Sequence, residues 1–556
     1  MTSLVPLGEA ELALLAWIGS GTSCRLGEGD LPQPGAPGRT IRGALLRGCL
    51  MGEEGRLHEK GLRLEGAHIA GLLDLEGCHI GCDLRLVNCF FDSAPILRAA
   101  SIDTLLLDGC DLPSLTAERL EARGSLLLRQ ADFRGPILLP GARIGADLNL
   151  DGSAIGRPGN WALQASHIAV RGEITLRSAR MQGELHLPGA KVEGDVILTG
   201  ARILQTGATA MDAANIQIRG DLQLRGVEIT GEVILTGARV GGDVSLESGR
   251  FTAIDQRAVT LNRAAISGAL FLRRGARLQG ALALAGAEVG TVVDDPHSWP
   301  ERGDLLLNHF RYKGFLASPV DAASRLDWLA RQDPRRWGED FWPQPYEQLA
   351  AVLAGMGHQE HASRILFEKE RLQRVARQAR ASSRAGRLRL VIGDRMLRLT
   401  VGYGLQPLLA FAWVAGLILA GVVLLSLCEA RGQLRPNTPV SLRSPEWVLC
   451  GVPSGQSVHL VSTGADRQGL AAPGQSQIEC FLRQPEASSY PRFSRWVYSL
   501  EVTVPGLEGG QRQYWSPDTR FTLGYVTKLF EYFQMVAGAA LCLLAFAGFS
   551  GLVKPR

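Results

Sequence analysis

An eleven-residue unit recurs along the first half of this chain, and it restricts the fold more than any other feature. Gly172–Gln182 (GEITLRSARMQ), Gly183–Glu193 (GELHLPGAKVE) and Gly194–Leu204 (GDVILTGARIL) follow one another without a gap. The pattern resumes at Gly220–Thr230, Gly231–Gly241 and Gly242–Phe251, and it is recognisable from about Leu62 to about Gly290. Each unit reads glycine, polar, apolar, polar, leucine, then a small turn, then alanine, polar, apolar. Alternation with period two over such short runs marks strands with one buried face. So short a unit cannot bury its own apolar face. Stacked copies can, with backbone hydrogen bonds running from coil to coil. Two units make a coil of about 22 residues, and roughly ten coils fit the repeat region. The expected fold is mainly β: a β-solenoid.

One position in the unit is most often small. Ala67, Cys78, Cys89, Cys110, Ala131, Ala142, Ala179, Ala190, Ala201, Ala238, Ala276 and Ala287 share it. A narrow solenoid interior explains this, and it makes three of the cysteines small buried hydrophobes. A metal site built from His68, Cys78, His79 and Cys82 is therefore disfavoured, because the histidines fall in the outward slot beside the buried one. The recurring carboxylates Asp74, Glu173, Asp195, Asp221, Glu232 and Asp243 follow from the repeat itself and read as a solvated face.

The pattern resembles that of pentapeptide-repeat and other right-handed β-helix proteins, with a longer unit and a recurrent glycine. That resemblance implies a right-handed coil. DNA-mimicking members of the group are strongly acidic, whereas this solenoid interleaves Arg with Asp and Glu, so nucleic acid is disfavoured as a partner.

A solenoid needs caps at both ends. Glu9–Ile18 and Ile41–Leu50 have helical apolar spacing and are expected to be cap helices, joined by the proline-rich loop 27–38. After Pro296 the repeat is expected to stop, as Trp299, Phe310, Tyr312 and Phe315 appear. Helices should follow: one capped at Ser318, one from Pro345 to Gly357 and a basic one over Glu360–Arg380.

Two uncharged apolar runs, Pro407–Leu427 and Phe533–Val553, are long enough to span a bilayer. Eleven Arg or Lys lie between His361 and Thr400, against Glu368, Glu370 and Asp394, and Lys554 and Arg556 follow the second run. The positive-inside rule then puts both termini in the cytoplasm, as in a multi-pass protein of the inner membrane. Lys369, Arg371, Arg374, Arg377, Arg380, Arg384, Arg387 and Arg389 are the candidates for contact with anionic headgroups, at about 1 kcal/mol per residue close to the surface. Cys450 and Cys480 form a candidate disulfide if the loop between the spans is extracytoplasmic. Gly416, Gly421, Gly538 and Gly548 in the runs, with Trp496, Tyr498 and Trp515 before the second, are candidate pore or interface residues. The segment Phe493–Asp518 either sits at headgroup level or dips back into the bilayer. Thr400–Gly404 spells TVGYG, the potassium-filter sequence, but it precedes a span without a pore helix and is expected to lead into the first helix.

The chain thus divides into a helical cap (1–60), a solenoid (61–295), a helical segment with a basic juxtamembrane helix (296–400), a first span (401–428), an extracytoplasmic region (429–532), a second span (533–553) and a short cytoplasmic tail (554–556). No GxxxxGK[ST], HExxH, GxSxG or CxxC occurs, and no GxGxxG lies between a strand and a helix, so no catalytic, cofactor or metal residue is assigned.

The GLxLxGA solenoid, PQPYEQLA (residues 343–350), GYG-x-x-P before the first run, and the YSLEV, VPGL and YWSP motifs before the second resemble a family of bacterial membrane-anchored β-solenoid proteins. Its members often carry the label membrane-associated oxidoreductase. The resemblance covers most of the chain and implies a membrane location. Three functions follow as expectations: a scaffold or sensor with a protein partner, an oligomeric membrane effector or channel, and, from the label alone, an oxidoreductase.

Overall fold

The computed structural model describes residues 6–156, 161–380 and 408–549, with seven further residues between 390 and 400. Val401–Gly404 of the TVGYG motif lie outside the described residues. The chain forms two compact units, Met1–Lys369 and Glu370–Arg556.

The first unit is a β-solenoid of about eleven turns. Its strands line up in two sheets whose pairings are all parallel, each strand bonding to its counterpart one coil on. A coil takes 22 residues from Leu126 to Leu148 and 26 from Leu148 to Ile174. In later long coils the added residues leave as bulges, where the register shifts between Leu204 and Thr209 and between Thr252 and Arg257. The periodicity survives because the extra chain leaves the stack instead of displacing it.

All twelve residues of the small slot are buried. The residue before it takes a left-handed backbone, with φ of 65° at Gly189 and 69° at Gly200. Glycine holds that conformation without strain, which is why it recurs; Asn88 and Ser178 hold it at φ 50° and 56°. Several repeat carboxylates do more than solvate a face. The Oδ1 atoms of Asp195, Asp221 and Asp243 accept the backbone N–H of Asp221, Asp243 and Ala269 one coil on, at 2.7, 2.8 and 2.7 Å. These are charge-assisted bonds that tie coil to coil.

Both expected solenoid boundaries shift. Cys24–Arg25 pairs with Leu64–Glu65 and Thr40–Arg42 with His68–Ala70, so the capping region itself supplies a partial coil. Ile41 lies in a strand, and helix α2 starts at Gly43 (Gly43–Met51), after α1 (Glu9–Trp17). At the other end the stack does not stop at 295. Leu305–Leu306 and Arg311–Phe315 pair with the preceding coil. Glu288 pairs with Arg311, so Phe310 takes the small slot after Ala287. An aromatic ring fits there because, among the described residues, no further strand stacks beyond it, and that ring erased the repeat signature.

The terminal coil is closed by α3 (Ala322–Leu329) and α4 (Gln344–Gly355). The cap of α3 is Asp321, whose carboxylate accepts the Ser324 N–H; Ser318 instead accepts the N–H of Asp294 through its hydroxyl, at 2.8 Å. Arg325 is fully buried, paired with Asp294 through two bonds of 2.8 Å and lying 3.6 Å from the ring centre of Phe315. Helix α5 (Gln359–Arg380) follows.

In the second unit, α6 (Leu408–Ala430) and α8 (Thr522–Phe549) are each long and apolar enough to cross a membrane. The second begins eleven residues before Phe533 and so includes Lys528 and Glu531. Between them lies a small lobe around Trp447, Phe481 and Trp515, and helix α7 (Arg495–Thr503).

Candidate functional site

The second unit holds a polar cluster inside an apolar helix pair. Helices α6 and α8 run antiparallel, as three contacts show. The Cys428 thiol meets the Thr527 hydroxyl at 3.1 Å, Gly421 faces Gln534, and Ala410 packs with Ala545. Helix α7, the YSLEV segment, wedges against both. Its Ser499 hydroxyl donates to the carbonyl of Ile418 at 2.8 Å, and its Thr503 hydroxyl donates to the Ser499 carbonyl at 2.7 Å. The side-chain amide of Gln534 donates into this group, lying 2.9 Å from Ser499 Oγ, 2.6 Å from Thr503 Oγ1 and 3.3 Å from the Leu417 carbonyl. Among apolar helices such bonds hold the partners in one register.

Two glycines make room for the wedge. A Cβ on Gly421 would lie 2.4 Å from Ser499 Oγ, and one on Gly538 would lie 2.2 Å from the Thr503 carbonyl oxygen. Gly416 differs: a Cβ there would meet nothing within 4 Å. The surroundings of Gly548 lie outside the described residues. Of the aromatic candidates, Tyr498 and Trp515 are buried and Trp496 is exposed. Tyr498 donates to Glu531 at 3.1 Å, and the Trp515 ring N–H donates to the Pro491 carbonyl at 2.9 Å. Glu531, buried, also takes Lys528 at 2.9 Å and faces Arg512 at 3.6 Å. Sequence reasoning passed over Ser499, Thr503, Gln534 and Glu531. The available signal was Lys528, Glu531 and Gln534 in the first half of a helix whose second half is apolar.

The basic juxtamembrane set divides. Lys369 is buried and bonded to Glu347 at 3.0 Å, which removes it from any surface patch. It is a packing residue because α5 lies against α4 with that face inward. Arg374 pairs with Glu370 one turn back, Arg377 and Arg380 are exposed, and Arg371 is half-buried. Arg384, Arg387 and Arg389 lie outside the described residues.

Cys450 and Cys480 are joined as a disulfide, with Cα atoms 5.5 Å apart. The other eight cysteines are free, including Cys89 and Cys110 in adjacent coils, where the Cys89 N–H reaches Cys110 Sγ at 3.3 Å. Burial pushes the Cys24 and Cys49 thiols up to about 11, away from reactivity.

On the solenoid, His79 is exposed, but His68 is buried although it points away from the solenoid interior. The loop between the first helices covers it: Gly35 N–H donates to His68 Nδ1 at 3.1 Å, and Asp92 holds Nε2 at 2.8 Å. Glu184, His186 and Asp212 bring three potential metal donors together. His186 Nδ1 lies 2.7 Å from Glu184 and 3.7 Å from Asp212, a spacing that an N–H···O hydrogen bond accounts for without a cation. A shallow groove of about 490 Å³ runs along one sheet between Lys191, Glu193, Arg219 and Arg239.

Fold and site together define a class: a β-solenoid joined in one chain to a pair of membrane-length helices with a polar helical wedge between them. No protein-family model, no curated protein and no solved structure matches the chain.

Proposed function

We propose that the chain is a membrane-tethered binding scaffold or sensor, with the solenoid and both termini on the cytoplasmic side of the inner membrane. The observation that carries this is the joining of a stacked, charge-bearing sheet face to two helices long enough to anchor it. The ladder around Lys191, Arg219 and Arg239 offers fixed spacing to a protein partner with acidic groups. Cysteine chemistry supports the sidedness. The lobe between the helices carries the Cys450–Cys480 disulfide, which suits an oxidising, extracytoplasmic side. Exposed Arg377 and Arg380 add attraction to anionic headgroups. Photo-crosslinking from positions 219 and 239 of the full chain in cells tests the scaffold. A discrete adduct, lost on charge reversal at Lys191 and Arg219, supports it, and labelling no stronger than from Arg63 on another coil counts against it.

A second reading, an oligomeric channel or effector, has one observation in its favour: α7 carries polar groups into the middle of the apolar pair. Ion flux through liposomes of full-length protein, absent from a chain ending at Arg384, tests that reading. The oxidoreductase expectation rests on the family resemblance alone and is not proposed.

A further inference from the structure

The depth of α7 can be read from its contacts. Cys428 marks one end of the paired stretch and Ala410 the other, and Ser499 bonds to Ile418, close to midway. The ten residues from Ile418 to Cys428 rise about 15 Å, half of a hydrocarbon core about 30 Å thick. Thr503, at the end of α7, touches Gly538, eleven residues along α8 from Thr527. The chain then turns through Val504–Gly510 and climbs back, because Trp515–Pro517 pairs with Leu434–Pro436 just after α6. Residues 495–514 therefore form a hairpin that enters and leaves from the same side, with its turn near the middle of the helix pair.

That turn is bare. Pro505, Gly506, Leu507, Glu508 and Gly509 are exposed, and the amides of Gly506, Glu508, Gly509 and Gly510 find no acceptor among the described residues. Lipid tails accept no hydrogen bonds, so irregular backbone at this depth persists only under protein or beside trapped water. Next to it opens a cleft of about 660 Å³ lined by Glu501, Glu508, Arg512, Lys528 and Glu531.

We propose that a second copy of this chain covers the turn, so that the hairpins of two or more copies meet around a shared polar seam within the bilayer. Another copy is the occupant the surface suits. It brings the same polar turn to the same depth, and Glu508, which has no ion-pair partner among the described residues, would meet Arg512 and Lys528 of the next copy, where each already shares Glu531 at 3.6 and 2.9 Å. The inference rests on the membrane reading above and deepens its channel alternative, since the seam is where a conducting path would lie.

The test uses the full chain in lipid nanodiscs and native membranes. Leu507→Cys is oxidised beside the unsubstituted chain and beside Val440→Cys, which is 82% exposed in the lobe. The particle mass of the unsubstituted chain is measured in parallel. The expected result is a mass of at least two copies and an inter-chain disulfide at least fivefold more abundant for Leu507→Cys than for either control. A single-copy mass, or cross-linking no greater than at Val440→Cys, overturns the proposal. Alkaline extraction separates the two failures: a chain retained in the membrane as one copy sinks this inference alone, and a chain released from it sinks the membrane reading as well.

Discussion

Gln534 holds Ser499 through its hydroxyl, 2.9 Å from the Gln534 amide nitrogen, and that hydroxyl in turn donates to the carbonyl of Ile418. One side chain thus ties all three helices of the second unit together. Replacing it with leucine leaves the Ser499 and Thr503 oxygens without their donor. Gln534→Leu should lower the stability of the helical unit in detergent by about 1–2 kcal/mol, within the range for polar contacts between membrane helices. A thermal unfolding scan against the unsubstituted chain checks this. An unchanged midpoint would show that the cluster does not hold the helices.

The Cys450–Cys480 bond closes a loop across 30 positions. A link of that span constrains the unfolded chain by about 3–4 kcal/mol. Reduction should loosen the lobe between the helices while leaving the solenoid intact. Hydrogen exchange with and without reductant reads this directly: faster exchange is expected over residues 445–490 and no change over 62–315.

Arg325 and Asp294 are both buried at the end of the solenoid, and Trp299 adds a further N–H to Asp294 at 2.7 Å. Arg325→Ala strands a buried carboxylate and should cost about 3–5 kcal/mol. The loss should show as early protease cleavage between α3 and α5. Pairing Arg325→Met with Asp294→Leu should recover most of it, because no uncompensated charge then remains. Equal damage from both would contradict the ion-pair account.

Glu11 ties α1 to the start of α2. Burial alone would raise its carboxyl, but the two bonds from Arg42 at 2.6 and 2.8 Å and the Gly8 and Arg42 amides outweigh it, so it titrates below the ordinary range. Its stabilising effect is therefore complete above the usual glutamate value of about 4.3 and is lost as pH falls through the lowered folded value. Exchange protection of residues 9–51 should hold from pH 7 to 5 and drop below pH 4. Glu11→Gln should show weaker protection at pH 7 and little further change on acidification.

The repeat made most of the fold legible. Ala179, Ala190 and Ala201 name the interior, and their spacing names the coil. What stayed hidden lay where a local rule was broken for a tertiary reason. Phe310 stands where an alanine belongs because the stack ends there, and Thr40–Arg42 forms a strand because the first full coil offers it an edge. Lys369 looked like one more member of a basic run, yet its partner Glu347 lies on another helix, which no local pattern reveals. The polar wedge was half visible. Tyr498 and Gly538 stand out in the sequence, but Gln534 and Ser499 gain meaning only where α7 lies against both long helices.

The central claim is that α6 and α8 cross a bilayer and set the lobe between them apart from the solenoid. A membrane-impermeant thiol label applied to intact cells carrying the full chain tests it. Val461→Cys, 94% exposed in the lobe, should label in intact cells, and Arg219→Cys on the solenoid should label only after permeabilisation. Equal labelling of both positions in intact cells, or of neither until the cells are opened, would contradict the account.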